Sequence, residues 1–201
     1  MKRFLDILLG LILLTILSPL LLMIILIIKM GSKGPVLFSQ RRIGRNNKEF
    51  VLYKFRTMRP DAPNVETHLL KDPHRYITSF GKFLRKSSLD ELPQLINILI
   101  GDMTYIGPRP ALYNQYDLIN LRTRCGVHTL LPGVSGWAQV NGRDSLESRE
   151  KVQFDGVYLA NRSFIFDLKI LFFTALNVLK AENILEGGRE PNRAKKRERS
   201  M

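Results

Sequence analysis

Two adjacent acidic residues, Asp90 and Glu91, stand in residues 87–93 and could carry chemistry. Ser88 and Glu91 fit a capping box, and Asp90 could itself cap a helix, because Pro93 favours a helix start at or after Asp90. If capping is the only role of these residues, the segment has a structural function and no catalytic one. The positive end of a helix dipole would also keep a carboxylate ionised and leave N–H groups for a phosphate. Because an ionised carboxylate can attack phosphorus and form an acyl phosphate, both acids are candidate catalytic residues.

Attack on a phosphate needs nearby positive charge, and the chain supplies several basic residues for that purpose. The candidates are Lys54, Arg56, Arg85, Arg109 and Arg143. Alternation along a predicted strand puts Lys54 and Arg56 on one face. Arg109 lies between two prolines, which stiffen its backbone and reduce the entropy lost when its guanidinium binds a phosphate. Mg²⁺ fits the same site, because carboxylates and phosphate oxygens are its preferred ligands.

Composition limits the classes to which this protein can belong. The 201 residues include 31 Lys and Arg against 18 acidic residues, and the net charge of +13 favours an anionic partner. An apolar share of 45% is enough for a core, while the single cysteine excludes a disulfide scaffold. Phosphate loops, dinucleotide-binding glycine motifs and His-Glu-x-x-His sites are absent from the sequence. The Asp-x-Asp pair of many metal-dependent sugar transferases is absent as well.

Residues 4–28 form a run of 25 residues, of which 20 are apolar. A straight helix of that length would reach about 38 Å, enough to span a bilayer core of about 30 Å. A cleaved signal peptide is disfavoured, because its apolar region is only about 7–15 residues long. A simple spanning helix is disfavoured by Pro19 in mid-run and by basic residues at both ends, which favour the cytoplasmic side. We therefore expect a re-entrant membrane helix that breaks at Ser18 and Pro19.

The residue pattern of the remaining chain predicts short strands and helices. The predicted strands are residues 35–40, 49–58 and 104–106, of which the first two form a hairpin. The predicted helices are residues 92–100, 111–123 and 163–180, and residues 77–86 are predicted to form a short basic helix or a turn. The last helix is strongly apolar and could either be buried in the core or lie in the plane of the lipid head groups. We expect loops over residues 60–73 and 131–143.

Several stretches of the chain match a known protein family in order. They are KRFLDILLG, GPVLFSQRRIG, YKFRTM, SSLDELPQL, NILIGDMTYIGPRP, LPGVSGWAQVNGR and FIFDLKILF. With the Ser18-Pro19 pair, they resemble the bacterial sugar transferase family of monotopic polyprenyl-phosphate phosphoglycosyl transferases over residues 2 to about 180. The likeness is to capsular members of the short form, so we expect no four-helix N-terminal membrane module.

The resemblance implies a two-step reaction at the acidic pair. Asp90 corresponds to the family nucleophile, which attacks the β-phosphate of a UDP-sugar and releases UMP, with Mg²⁺ bound at Asp90. Undecaprenyl phosphate then takes the sugar phosphate from the aspartate. Glu91 corresponds to the partner of the nucleophile and would assist the acceptor or the metal. The residues that match positively charged positions near the phosphates are Lys54, Arg85, Arg109 and Arg143. The resemblance assigns no role to Asp155 and Tyr158, in the family-like stretch FDGVY.

We therefore expect an α+β fold: a small, mainly helical cytoplasmic domain with a short β-hairpin, anchored by an N-terminal re-entrant membrane helix. Residues 1–30 would form the membrane helix and residues 31–186 the catalytic domain with interfacial helices. Residues 187–201, with six basic and two acidic side chains, would be a disordered basic tail that contacts anionic lipid. The resemblance implies the cytoplasmic face of a bacterial inner membrane and a first step in capsule, O-antigen or other glycoconjugate assembly.

The expected partners are a UDP-sugar, undecaprenyl phosphate and anionic membrane lipids, with downstream glycosyltransferases beyond them. Nucleic acid is not expected, because most aromatic residues lie in apolar runs rather than among basic ones. The residues do not fix the sugar; the likeness to capsular enzymes implies an N-acetylamino-deoxy hexose, with a hexose as the alternative. Two other functions stay open. An ordinary lipid-acceptor glycosyltransferase would release UDP, and a membrane-anchored basic domain that recruits acidic partners would tolerate Asp90→Asn.

Overall fold

The computed structural model of the chain describes residues 2–31, 33–62, 75–142 and 145–179. In these ranges helices and sheets are mixed and helix predominates, as the sequence predicts. The helices are α1 (Lys2–Gly31), α2 (Ser79–Lys86), α3 (Gln94–Ile100), α4 (Tyr116–Arg124), α5 (Trp137–Val140), α6 (Ser148–Ala160) and α7 (Phe164–Leu179). The strands are β1 (Leu37–Ile43), β2 (Glu49–Phe55), β3 (Thr104–Ile106), β4 (Ala111–Leu112) and β5 (Gly133–Ser135). Most of the predicted loop at residues 60–73, and the tail at residues 187–201, lie outside the described residues.

Helix α1 continues through the position where we expected it to break. Pro19 has no N–H to donate to the carbonyl of Thr15, and the hydroxyl of Ser18 donates to that carbonyl instead, at 2.8 Å. At a rise of about 1.5 Å per residue, the helix from Lys2 to Gly31 is about 45 Å long. Its length and composition would suffice to cross a membrane. A re-entrant path through a membrane stays a prediction.

Both halves of α1 pack against the same folded body. Near its start, Arg3 donates hydrogen bonds to two backbone carbonyls in the last turn of α3. Near its end, Ile24 and Ile28 are buried against Phe55 of β2 and Leu84 of α2. Because contacts with the body occur at both ends, α1 lies along this body instead of projecting from it.

Strands β1 and β2 form the predicted hairpin. Their antiparallel register pairs Leu37 with Phe55 and Ile43 with Glu49, so β1 runs three residues further than predicted. The turn includes Asn46 at a φ of 55°, in the left-handed region that asparagine tolerates well. Strand β4 pairs with the other edge of β1, which gives the sheet order β2-β1-β4 and leaves β2 at the edge.

The second sheet, of parallel strands β3 and β5, holds the start of the segment that carries Arg109. Beyond β3, the N–H of Gly107 donates to the carbonyl of Ser135 at 2.9 Å, and the N–H of Gly133 donates to the carbonyl of Pro108 at 2.9 Å. A Cβ atom on Gly133 would collide with the backbone of Gly107. Glycine is therefore required where the two backbones approach so closely.

Two predicted segments differ from the structure. Residues 111–123, expected as one helix, begin as strand β4, because Ala111 and Leu112 pair with the edge of β1 before α4 starts at Tyr116. Residues 131–143, expected as loop, contain β5 and α5.

Helix α6 was not predicted. Its buried residues are Val152, Asp155 and Tyr158. Because the carboxylate of Asp155 stands where an amphipathic helix would have an apolar residue, the helical pattern of apolar residues is interrupted.

Helix α7 is confirmed and has two different sides. Ile170 is fully buried against the body. Phe164, Ile165 and Phe172 are 67%, 78% and 62% exposed, although all three are large and apolar. One side of α7 therefore belongs to the core and the other is an unburied apolar surface, and a position in the plane of the lipid head groups stays a prediction.

Candidate active site

Asp90 and Glu91 lie in a 3-10 turn, Leu89–Glu91, between α2 and α3. Ser88, just before it, has a left-handed backbone with a φ of 56° and makes no capping bond with its side chain. A capping serine needs extended backbone, so the capping-box hypothesis is wrong. Helix α3 begins only at Gln94. The two acidic side chains are 12% and 10% exposed, which leaves them reachable yet largely shielded from water.

Lys54 of β2 lies beside both carboxylates. Its Nζ is 2.7 Å from Oε1 of Glu91 and 4.0 Å from Oδ2 of Asp90. Nη1 of Arg109 is 3.5 Å from the same Oε1 of Glu91. The structure therefore brings together four residues that the sequence singled out from three separate segments, and it does so in a partly buried pocket where charges are weakly screened.

Asn97 of α3 fixes the position of Lys54 relative to the acidic pair. Its side-chain amide donates to the carbonyl of Val51 at 2.6 Å and accepts from the N–H of Tyr53 at 3.1 Å. Both partners are backbone groups of β2, which is the edge strand, and Asn97 itself is fully buried. The Asn97 amide thus forms the hydrogen bonds that a neighbouring strand would form with the edge of β2. These bonds fix the position of α3 along β2.

The other basic candidates have different surroundings. Arg85 lies in the last turn of α2, which contacts the turn that carries the acidic pair, and its Nε donates to Oγ1 of Thr57 at 2.8 Å. Arg56 donates to the carbonyl of Lys33 at 3.1 Å. Arg143 lies outside the described residues.

Arg122 of α4 was not among the residues predicted for the site. Its Nη1 donates to the carbonyl of Arg109 at 2.7 Å, and its Nε and Nη2 donate to Oδ2 of Asp155 at 2.9 and 2.7 Å. In sequence, Arg122 is one of two arginines near the end of α4 and carries no distinguishing signal. The family-like stretch around Asp155 was the one available indication, and the partner of that acid becomes visible only in the fold.

Burial changes the proton affinity of two side chains in α6. Desolvation raises the pKa of Asp155, and the Arg122 guanidinium opposes this rise. Burial also raises the pKa of Tyr158, and so does its hydrogen bond to Asp167. The Tyr158 hydroxyl donates to Oδ1 of Asp167, at 2.7 Å, and lies 3.1 Å from the carbonyl of Ile106. Tyr158 therefore stays a protonated donor at any physiological pH.

A cavity of about 240 Å³ opens beside Glu91 and Arg109. Its walls come mainly from α1, α3, β5 and α7 and include Leu13, Leu17, Leu92, Leu95, Val134 and Val178. Tyr105 also lines it, and burial raises the pKa of Tyr105 to about 12. The cavity thus has a charged end, formed by Glu91 and Arg109, and an apolar interior. Two of the helices that line it, α1 and α7, also expose large apolar side chains on their outward sides.

The residues at the site are compatible with Mg²⁺. Magnesium at phosphate sites is held by one or two carboxylates, with substrate phosphates and water as the other ligands. Asp90 and Glu91 supply such carboxylates. In the part of the chain that the structure describes, no cluster of three or more His, Cys, Asp or Glu could hold a metal by itself. An ion here would take substrate phosphate oxygens and water as its further ligands.

Chemically, the arrangement offers two largely buried carboxylates next to two cations, beside an apolar cavity that Glu91 and Arg109 line. The cations can neutralise phosphate oxygens, which lowers the repulsion between an anionic nucleophile and an anionic phosphate. The cavity can hold an apolar group that continues from that phosphate. Such a site suits transfer of a phosphoryl-linked group between a polar donor and an amphiphilic acceptor.

Comparison with known proteins gives one family. The family described as "Bacterial sugar transferase" matches residues 1–181. Over 184 residues the chain is 41% identical to the uncharacterized sugar transferase EpsL of Bacillus subtilis, with 92% of this chain and 90% of EpsL covered.

Two other relatives are longer proteins with named activities. The UDP-N-acetylgalactosamine-undecaprenyl-phosphate N-acetylgalactosaminephosphotransferase of Aeromonas hydrophila is 39% identical over 89% of this chain and 43% of its own length. The UDP-glucose:undecaprenyl-phosphate glucose-1-phosphate transferase of Escherichia coli is 41% identical over 87% of this chain and 39% of its own length. The chain therefore spans about two fifths of each longer relative.

Proposed function

The chain belongs to the bacterial sugar transferase family, and from that premise we propose that it transfers a sugar 1-phosphate from a UDP-sugar to undecaprenyl phosphate. Relatives named for this type of transfer act on different sugars, N-acetylgalactosamine in one and glucose in others. The proposal therefore extends to the UDP-sugar class and not to one sugar. The observation that carries it is the meeting of Asp90, Glu91, Lys54 and Arg109 beside an apolar cavity that Glu91 and Arg109 line.

In the first step, a carboxylate oxygen of Asp90 attacks the β-phosphorus of the UDP-sugar. The bond from that phosphorus to the bridging oxygen breaks, and UMP leaves with the bridging oxygen. The sugar phosphate stays on Asp90 as an acyl phosphate. Lys54 and Arg109 are placed to neutralise phosphate oxygens during this attack, since both lie within 4.0 Å of the acidic pair.

In the second step, a phosphate oxygen of undecaprenyl phosphate attacks the phosphorus held on Asp90. The carboxylate of Asp90 leaves, and the product is a polyprenyl diphosphate sugar. The cavity supports this step, because its apolar walls would receive the first part of the prenyl chain while its charged end holds the phosphate.

Glu91 and a magnesium ion would assist both steps. Glu91 accepts hydrogen bonds from Lys54 and Arg109 and so orients these cations beside Asp90. Mg²⁺, held by Asp90 and substrate phosphates, would supply further neutralisation of phosphate charge.

The acceptor is a membrane lipid, and we place the protein on the cytoplasmic face of the bacterial inner membrane. Both ends of α1 contact one body, and basic residues flank both ends of its apolar run, so both ends would face the cytoplasm. The outward sides of α1 and α7 expose large apolar residues, such as Ile16 at 66% and Ile165 at 78%. A monotopic anchor would bury these surfaces in lipid without crossing it.

The test is incubation of the purified protein with UDP-sugars and Mg²⁺ in the absence of acceptor. We expect about one equivalent of UMP and a mass increase of one sugar phosphate on Asp90, which added undecaprenyl phosphate then removes. Asp90→Asn should lower UMP release by about 10,000-fold, because loss of a nucleophile removes the covalent step. UDP as first product would indicate an ordinary glycosyltransferase, and full activity of Asp90→Asn would contradict the mechanism.

A further inference from the structure

Arg122 is an unusual arginine, because it is buried and all three kinds of its guanidinium nitrogen have partners. Its side chain is 10% exposed and that of Asp155 is 1% exposed. Two of its nitrogens are held by one carboxylate oxygen of Asp155, while Nη1 points the other way, to the backbone of Arg109. The pair thus connects α4 and α6 to the loop of the candidate site.

Asp155 compensates the charge of Arg122 at its buried position behind the Arg109 backbone. A buried guanidinium without a partner is costly, and one placed near Arg109 would also repel that residue's positive charge. With Asp155 at 2.7 Å, the pair is close to neutral. Arg122 can therefore support the Arg109 backbone without adding net positive charge behind it.

The loop around Arg109 is held at each of three successive carbonyls. The carbonyl of Pro108 accepts from the N–H of Gly133 at 2.9 Å, and the carbonyl of Pro110 accepts from Nη1 of Arg42 at 3.0 Å. The carbonyl between them belongs to Arg109 and accepts from Arg122. Prolines on both sides restrict the backbone further. The direction in which the Arg109 side chain leaves the backbone is therefore set by contacts that include Arg122.

We propose that Arg122, held by Asp155, is a positioning residue that aims the Arg109 guanidinium at Glu91 and at the donor phosphates. The phosphate-binding part of this role rests on the proposed function. The competing possibility is that the buried pair only joins α4 to α6 and supports the fold. The two differ in one respect: a positioning role acts through the Arg109 side chain, and a purely structural role does not.

A double-mutant cycle on the whole 201-residue chain separates these possibilities. Arg122→Gln, Arg122→Lys and Asp155→Asn are compared with Arg124→Gln, an exposed arginine of the same helix. We expect Arg122→Gln to lower kcat/KM for UMP release about 10- to 100-fold, the usual cost of a misplaced catalytic group. In an Arg109→Gln background the same change should cost less than about twofold, because the residue it positions is gone.

Further outcomes are equally decisive. Arg122→Lys should recover part of the loss, since it restores the charge but only part of the hydrogen bonding. An equal loss from Arg122→Gln in both backgrounds, or an equal loss from Arg124→Gln, would overturn the positioning role. Thermal unfolding is measured for each variant. If Arg122→Gln does not fold, the cycle is run with Arg122→Lys and Asp155→Asn, which keep more of the pair.

Hydrogen exchange distinguishes failure of this inference from failure of the proposed function. If the unmodified protein releases no UMP from any UDP-sugar, the proposed function fails. The inference is then judged by amide exchange in the peptide 106–113. Faster exchange there in Arg122→Gln, with exchange in α3 unchanged, supports loop positioning, and unchanged exchange in 106–113 would contradict it.

Discussion

Asp90 and Glu91 are neighbours in the chain, but the fold gives their carboxylates different surroundings. Lys54 approaches Glu91 to 2.7 Å and Asp90 only to 4.0 Å, and Arg109 also contacts Glu91. Glu91 therefore holds the two cations, while Asp90 lies within their field without so close a contact from Lys54. This difference suits Glu91 to organising charge and Asp90 to attack, which the adjacent positions in the sequence leave undecided.

At the scale of single residues, Lys54→Met should weaken phosphate binding. The change removes a cation beside both carboxylates, so their repulsion of an anionic donor increases. We expect kcat/KM for the UDP-sugar to fall about 10- to 100-fold, mainly through KM, with Lys54→Arg recovering part of it. Steady-state UMP release measures this, with Lys48→Met at the exposed hairpin turn as control. An unchanged KM in Lys54→Met would contradict a role of Lys54 in binding the phosphates of the donor.

At the scale of elements, the site depends on how α3, β2 and the segment after β3 are joined. Asn97 links α3 to the edge of β2 by two side-chain bonds to backbone. Ladder bonds from β5 and the bond from Arg122 in α4 hold the segment that carries Arg109. Polar contacts between elements thus hold the strand of Lys54 and the segment of Arg109, and packing of apolar side chains alone would leave their registers less defined.

Asn97→Leu tests the link between α3 and β2. The variant leaves the carbonyl of Val51 and the N–H of Tyr53 without this partner, and each lost bond should cost about 1–3 kcal/mol. We expect a lower free energy of unfolding and a higher KM for the UDP-sugar, because Lys54 lies in the same strand. Denaturant unfolding and UMP kinetics measure the two effects, with the exposed Asn161→Leu as control. Loss of stability without any change in KM would separate Asn97 from the site.

At the scale of the whole molecule, the apolar helices and the catalytic body form one unit. Nζ of Lys2 lies 3.1 Å from the carbonyl of Ile106, 3.0 Å from the Tyr158 hydroxyl and 2.8 Å from Oδ2 of Asp167. This cluster ties the start of α1 to β3, α6 and α7. The surfaces proposed to enter lipid are therefore held in a fixed relation to Glu91 and the cavity, as transfer to a membrane-bound acceptor requires.

The outward side of α7 should contribute to membrane binding. Burying a large apolar side chain is worth about 1.5–3 kcal/mol, so Ile165→Ser with Phe172→Ser should lower binding to vesicles by at least about 100-fold. Co-sedimentation with vesicles that contain anionic lipid, after dilution from detergent, measures this. Tyr116→Ser is the control, because Tyr116 is 68% exposed but belongs to α4. Equal binding of the double variant and the unmodified protein would mean that α7 does not enter the lipid.

The sequence by itself determined the family likeness, the acidic pair, the hairpin, the apolar helices and the cations Lys54 and Arg109, because these rest on local patterns and short motifs. Only the tertiary structure decided that α6 exists and that Asp155 pairs with Arg122. The physical reason is distance along the chain. Arg122 and Asp155 are 33 residues apart. The buried side of α6 contains the charged residue Asp155, and its burial is explained only by the ion pair with Arg122, which local sequence does not show.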